Sequence, residues 1–562
     1  MVKKLTALLL AAALVGGVLS GCGEDAVVSE PTASMPAAQS GAQIPQTPVE
    51  QDGADLSISI GPEPLSLDPA LSGCADTDAY CNAVFEGLYK RDAQGEVVLG
   101  QAETASVSKD GLTWTFQLRQ DAKWSDGQPV QAEDFVYAWQ RNCMLEDAPE
   151  RQLFAYLKNG AALLAGSLQD ATQLGVRAVD SHTLEVTLAA PCSFLSTLLL
   201  RPIFMPLRRD AVEKDKNWDR NTSTYLTNGP LQLKSWSHKE SLVFVRSDTY
   251  YDASEVTTRQ VTCLLSEDDA ARLTSYDASE LSYITPLPAN DSNMRKRGDL
   301  LLQNQQAVAC LQLATGSGPL ADSRVRRALS LAIDRDTLAV SQTSMRYTAL
   351  EALVPAGFSD AAQGSDFRTV GGSYFSAKAD DYVTNLTEAN RLLDEAGYQD
   401  RSKLGTLTIT NVTDTLAETM SNAIAAMWQD KLGITCKVEK KSNKDYQSAV
   451  QAGKVQVTFT VLRADYDNAA ALLMDFSQYS GANVAGFQDA QYESLLEQAR
   501  TAPDTKTQYA ALHKAEQYLM EQMPVAPLFV APHTALATAT TTGAAVSPSG
   551  VLSLAYLQSG AL

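Results

Sequence analysis

The chain has 562 residues, enough for two or three packed lobes, and its 45% apolar and 20% charged residues form an ordinary globular balance that excludes a disordered or collagen-like chain. Acidic residues outnumber basic ones by 66 to 45, for a formal charge of −21, so a phosphate backbone is repelled and nucleic-acid binding is disfavoured. The four histidines, His182, His238, His513 and His533, stand singly, without the close spacing a metal-binding helix needs.

In chain order, Lys3 and Lys4 come first, followed by an apolar run from Leu5 through Leu19 and then Leu19-Ser20-Gly21-Cys22. The run is too short to span a bilayer, which predicts a secretion signal over residues 1–22. Leu-Ser-Gly-Cys resembles the bacterial lipobox, which implies a lipid on Cys22 that anchors the mature chain to the outer side of the cell membrane. Residues 23–53, rich in Pro, Ala, Ser, Gln and Gly without apolar periodicity, read as a flexible tether, with the globular body starting near Ala54. Of eight cysteines, seven remain after Cys22, an odd and sparse set on which the framework does not depend; Cys74 and Cys81 are near enough in sequence to bridge, and the sequence leaves that open.

Leu56-Ser57-Ile58-Ser59-Ile60 alternates as a strand and is stopped by Gly61-Pro62. Leu112, Trp114, Phe116 and Leu118 alternate behind Asp110-Gly111, a hairpin-turn dipeptide, and Asp126-Gly127 predicts a second turn. Leu184, Val186 and Leu188, then Leu242 and Phe244, give further strands, and helices are expected to be sparse before residue 320 apart from Glu133 to Arg141. Beyond it the period changes. Val325, Ala328, Leu329, Ala332 and Ile333 lie at helical spacing after a capping Asp322 or Ser323; Ala389, Leu392, Leu393 and Ala396 form a stripe ended by Gly397. Thr406 to Ile409 is the next strand, Trp428 and Leu432 belong to a helix stripe, and Leu512, Ala515 and Leu519 mark a helix that Pro524 terminates.

These segments, in order, resemble the extracytoplasmic solute-binding proteins of the oligopeptide and dipeptide class, family 5, which serve ABC transporters. The resemblance is carried by Leu67-Asp68-Pro69, Phe85-Glu86-Gly87-Leu88-Tyr89, Trp124-Ser125-Asp126-Gly127 and Ala132-Glu133-Asp134-Phe135-Val136, then by Asn228-Gly229-Pro230, Asp322 to Leu329, Ala332-Ile333-Asp334, Leu392 to Tyr398 and Ala464-Asp465-Tyr466. It implies an α/β, periplasmic-binding-protein-like fold with two large lobes, a hinge and a small inserted lobe. The expected division is residues 54–90 with 220–315 and 525–562 for the discontinuous first lobe, 91–219 for the inserted lobe, and 316–524 for the second large lobe.

The same resemblance assigns candidate ligand-binding residues. Arg463, Ala464, Asp465 and Tyr466 follow an apolar stretch, and the aspartate of such an Asp-Tyr pair is expected to meet a peptide's α-ammonium, where a partly desolvated carboxylate forms a charge-assisted hydrogen bond. The bland alternative is a surface carboxylate. Asp467-Asn468-Ala469 departs from the acidic residue and proline that often follow in this family. Gly73, Cys74, Ala75 and Asp76 stand where related proteins offer backbone groups to the ligand's main chain, and an ordinary loop at Gly73 and Cys74 is the equal alternative. Asn483 is matched to a family asparagine or, alternatively, is a turn residue.

Trp114, Phe116 and Trp124 read as core, and Arg324, Arg326 and Arg327 as the solvated side of a helix. No geometry for an acid pair can be read from Asp68 and Glu86. The chain lacks Gly-x-Ser-x-Gly, His-Glu-x-x-His and a phosphate-cradling loop, so no enzyme activity and no cofactor or metal are expected. The reading implied is a monomeric receptor that captures short peptides and delivers them to the permease subunits of an importer. A receptor for a nickel complex, sugar or other solute is the alternative, with an exported Ser-Lys peptidase or an adhesin behind it.

Overall fold

Leu56 and Ile58 alternate with Ser57 on the strand Asp55–Ser59, and both apolar side chains are buried. In the computed structural model, which describes residues 55–560 apart from 193, 289–292, 304, 342–346, 363, 465 and 467, this strand is the centre of a seven-stranded sheet. Gln260–Leu264 and Tyr283–Ile284 flank it in parallel. The outer strands Ser241–Arg246, Leu231–Ser237, His533–Ala537 and Leu300–Gln303 pair antiparallel. The signal segment with Cys22 and the tether lie outside the described residues.

A second, six-stranded sheet runs in the order Thr348–Ala349, Val525–Val530, Ala307–Leu313, Val457–Arg463, Thr406–Val412 and Thr435–Lys441. All residues of Ala307–Leu313 are buried, as a central strand covered on both faces requires. Its helices form where the apolar spacing places them. Ser323–Leu331 is capped by Asp322, whose carboxylate accepts from the Arg324 N–H at 2.8 Å. Tyr382–Glu395 stops just before Gly397, and Thr505–Gln522 just before Pro524. Trp428 and Leu432 face inward from Thr415–Leu432.

The inserted lobe is built on a four-stranded antiparallel sheet, Ala102–Val107, Thr113–Leu118, Thr183–Thr187 and Val176–Asp180. At its first hairpin the Ser108 N–H donates to the Thr113 carbonyl at 2.8 Å, and Gly111 takes φ +73°, as the Asp-Gly dipeptide predicts. Helix Ala132–Met144 packs on this lobe with Phe135 and Trp139 buried, and Phe116 and Trp124 are core residues while Trp114 is partly buried against them.

Three expectations need correction. Strands Ala307–Leu313 and Val525–Val530, expected in the first lobe, belong to the second sheet; the chain crosses between the large sheets after Gln303 and again between Val530 and His533. Helices also occur early, at Ala75–Val84 and Asp269–Asp277. The first shows no apolar stripe because seven of its residues are buried, polar Thr77 and Asp78 among them. Gly73 and Cys74 precede this helix, and Ala75 and Asp76 form its first turn. Arg326 is buried rather than solvated: it donates to the carbonyls of Leu320 and Gln522, the latter at a helix C-terminus that favours a cation.

Asp68 and Glu86 are buried apart, Asp68 paired with Arg141 and Glu86 held by Tyr250, Tyr251 and Gln101. Cysteines 74, 81, 143, 192, 263, 310 and 436 are all unpaired. No helix among the described residues is long and apolar enough to cross a membrane.

Candidate functional site

Strand Val457–Arg463 leads into the segment singled out from sequence. Beyond its end the Ala464 N–H donates to the Gln306 carbonyl at 2.8 Å, extending the pairing with the neighbouring strand. Asp465 and Asp467 lie outside the described residues. Tyr466 is buried, its ring stacked on Phe194 of the inserted lobe at 4.9 Å between centroids and set edge-on to Tyr156. This places Tyr466 in a contact between lobes.

From the first lobe, Cys74 holds the N-cap position of helix Ala75–Val84, its thiol 3.2 Å from the Thr77 hydroxyl. The Asp76 carboxylate accepts from the Thr77 N–H at 2.8 Å. Gly73 and Cys74 are exposed and Asp76 is half-buried. Burial pushes the Cys74 thiol well above its ordinary range, with the Asp76 charge adding to it. Burial also raises the Asp76 carboxyl, opposed by its hydrogen bonds and by the positive charge of Arg463. These residues form the first-lobe side of the candidate cleft.

The positive charge of Arg463 is felt by groups on both large lobes. Besides Asp76 it acts on Asp414, the N-cap of helix Thr415–Leu432, whose carboxyl is raised by burial and held down by the Ala417 N–H and by Arg463. It acts also on His533, whose imidazole is pushed down to about 4 by burial first and by Arg463 second, and whose Nε2 stands 2.9 Å from the Tyr283 hydroxyl. Asp76 and His533 come from the first lobe, Arg463 and Asp414 from the second.

Arg463 thus acts on Asp76 through its charge. A Cβ on Gly73 would stand 3.1 Å from Pro149, and one on Gly481 would stand 2.7 Å from the same proline, which sits between them. Asn483 is set apart in role: its side chain donates to the Phe487 carbonyl at 2.7 Å and accepts from the Phe487 N–H at 3.0 Å, bracing its own loop. Asp414, His533 and Pro149 were missed from sequence, where nothing in their local pattern sets them apart. Two surface concavities, of about 620 and 240 Å³, share no residue with this cleft. Among the described residues no group of three or more His, Cys, Asp or Glu is placed to hold a metal ion.

Residues 96–483 match the family described as bacterial extracellular solute-binding proteins, family 5 middle region. The chain is 31% identical over 500 residues to the periplasmic murein peptide-binding protein MppA of Escherichia coli K12, covering 87% of this chain and 90% of that one. It superposes on the crystal structure of Haemophilus influenzae OppA in complex with the peptide RPPGFSPFR with a TM-score of 0.84 at 25% identity, covering 90% of this chain and 99% of that one. Against the unliganded open form of MppA the TM-score is 0.58 at 29% identity, covering 90% and 98%. The less identical protein superposes better.

Proposed function

The chain belongs to the bacterial extracellular solute-binding proteins of family 5, and from that premise we propose that it captures short peptides by closing two lobes around them and hands them to the permease of an ABC importer. The observation that carries this reading is the likeness, over nearly the whole chain, to peptide-binding proteins, OppA in complex with a peptide among them. Charged groups from both large lobes, Asp76 from one and Arg463 and Asp414 from the other, act on one another, which supports a binding site between the lobes. A ligand that touches both sides favours closure by its differential affinity for the closed state.

Asp465, two positions beyond Arg463, is the group proposed to receive the ligand's α-ammonium, and the exposed backbone at Gly73 and Cys74 to pair with its main chain, which lets one site accept many side chains. The protein is proposed to act as a monomer outside the cytoplasm, held by a lipid on Cys22, and to return its ligand unchanged. The test is to purify the mature protein, denature it and identify by mass spectrometry what it releases, and to incubate it with a peptide pool. Intact bound peptides support the reading; cleaved peptides, or a sugar or metal complex in their place, overturn it.

A further inference from the structure

The larger surface concavity, of about 620 Å³, is bordered by residues of helices Ser323–Leu331, Phe367–Gly371 and Thr505–Gln522 and shares no residue with the cleft described above. Arg327 and Lys514 stand on its wall, and among the described residues neither has an ion-pair partner; Arg327 reaches the Glu388 carboxylate only through its field. The acid on the same wall, Glu521, accepts from the Gln517 side chain at 3.0 Å. On a chain of formal charge −21, two unpaired cations facing one hollow suit an anion.

Gly371 and His513 both border this concavity, and a Cβ on Gly371 would stand 2.7 Å from the Arg368 Nη2 and 2.8 Å from the His513 Nδ1. The two nitrogens therefore converge on the space that the missing side chain leaves. Arg368 commits its Nη1 to the Glu516 carboxylate at 2.7 Å and to the Val354 carbonyl at 3.1 Å. Its Nε and Nη2, the edge of a guanidinium that makes two parallel hydrogen bonds to an oxyanion, are enclosed without an acceptor, and His513 Nδ1 is enclosed without a partner. Such groups are costly until a ligand meets them. What they ask of it differs. His513 Nε2 lies 2.7 Å from the Asp360 carboxylate, which can only accept, so Nε2 carries the proton of the neutral ring and Nδ1 is left as an acceptor. Arg368 only donates. An oxyanion that has both an ionised and a protonated oxygen satisfies the pair. Inorganic phosphate has both at neutral pH; sulfate, carboxylates and phosphodiesters lack the proton, and a phosphomonoester has largely lost it above its second ionisation near about pH 6.

We propose that this concavity is a second site that binds inorganic phosphate, with Arg368 and His513 at Gly371 holding its oxygens and Arg327 and Lys514 attracting it. Calorimetry of the mature protein at about pH 7.5 and fixed ionic strength, with inorganic phosphate, sulfate and glycerol 3-phosphate in turn, tests this. Phosphate is expected to bind with a dissociation constant of about 1 mM or below, and the other two about tenfold more weakly, the scale of one hydrogen bond to a charged group. Gly371 lies outside the left-handed region, so Gly371→Ala fits the backbone while its Cβ fills the space between the two nitrogens, and it is expected to weaken phosphate about tenfold or more. Lys514→Gln, a change on the exposed wall, is expected to weaken it about two- to fivefold. Thermal melts report folding, and the double variant Arg327→Gln with Lys514→Gln serves if the alanine variant is unstable. Absence of phosphate binding, equal affinity for sulfate or for the ester, or binding that survives these variants overturns the proposal, and none of these results touches the peptide-receptor reading.

Discussion

The Gly481 N–H of the second lobe donates to the Pro149 carbonyl of the inserted lobe at 2.9 Å. Gly481 lies outside the left-handed region, so alanine fits its backbone, but the new Cβ would stand 2.7 Å from the Pro149 Cα. That clash exists only while the two lobes touch. Gly481→Ala is therefore expected to favour an open form, weakening peptide binding by about tenfold with little change in melting temperature. Small-angle scattering should show a larger radius of gyration for the variant, and an unchanged radius with unchanged affinity would count against this contact as part of closure.

Tyr466 supplies its ring, more than its hydroxyl, to the same interface. The ring stacks on Phe194 with 9° between planes, while the hydroxyl stands 3.4 Å from that of Tyr156. Tyr466→Phe should cost less than about 1 kcal/mol and Tyr466→Ala about 3–5 kcal/mol, as aromatic truncation in a core does. Urea denaturation of the two variants checks the order.

His533 gives stability a pH dependence of known sign. Its folded pKa of about 4 lies below the ordinary value of 6.5, so at neutral pH it is uncharged in both folded and unfolded states. As pH falls from about 6.5 toward 4 the unfolded chain takes up a proton that the folded one refuses, and stability is lost, by up to about 3 kcal/mol. His533→Gln should flatten that part of the profile of unfolding free energy against pH. An equal slope in wild type and variant would exclude the histidine as its source.

Cys22→Ala removes the proposed lipid site. The variant is expected either to keep its signal or to leave the membrane fraction, because one thiol carries both the lipid and the processing position. Normal processing and normal fractionation would contradict the anchor.

Elements specified by local chemistry were legible in the sequence. Asp110-Gly111 sets its hairpin through the positive φ of Gly111, and Asp322 and Gly397 mark helix ends that the structure has. Helix Ala75–Val84 was not legible, because burial of nearly its whole surface, including an Asp78 paired with Arg201, removes the stripe that betrays an amphipathic helix. Arg326 misled for a related reason: a charge suggests solvent until the helix-end carbonyls that satisfy it are seen. In the cleft, sequence picked out Arg463 and Asp76 separately, but that one senses the other, and that Asp414 and His533 share the same field, depends on chain crossings that no local pattern encodes.

The most direct test of the account is calorimetry of a short peptide and its N-acetylated form on the wild type and on Asp465→Ala. A peptide receptor that holds a free ammonium should bind the acetylated peptide far more weakly, and the variant should lose about 2–5 kcal/mol toward the free peptide and much less toward the acetylated one. Equal affinity of the wild type for the two peptides would contradict the assignment of Asp465, and absence of binding to either, with a different solute retained from the cell, would contradict peptide capture itself.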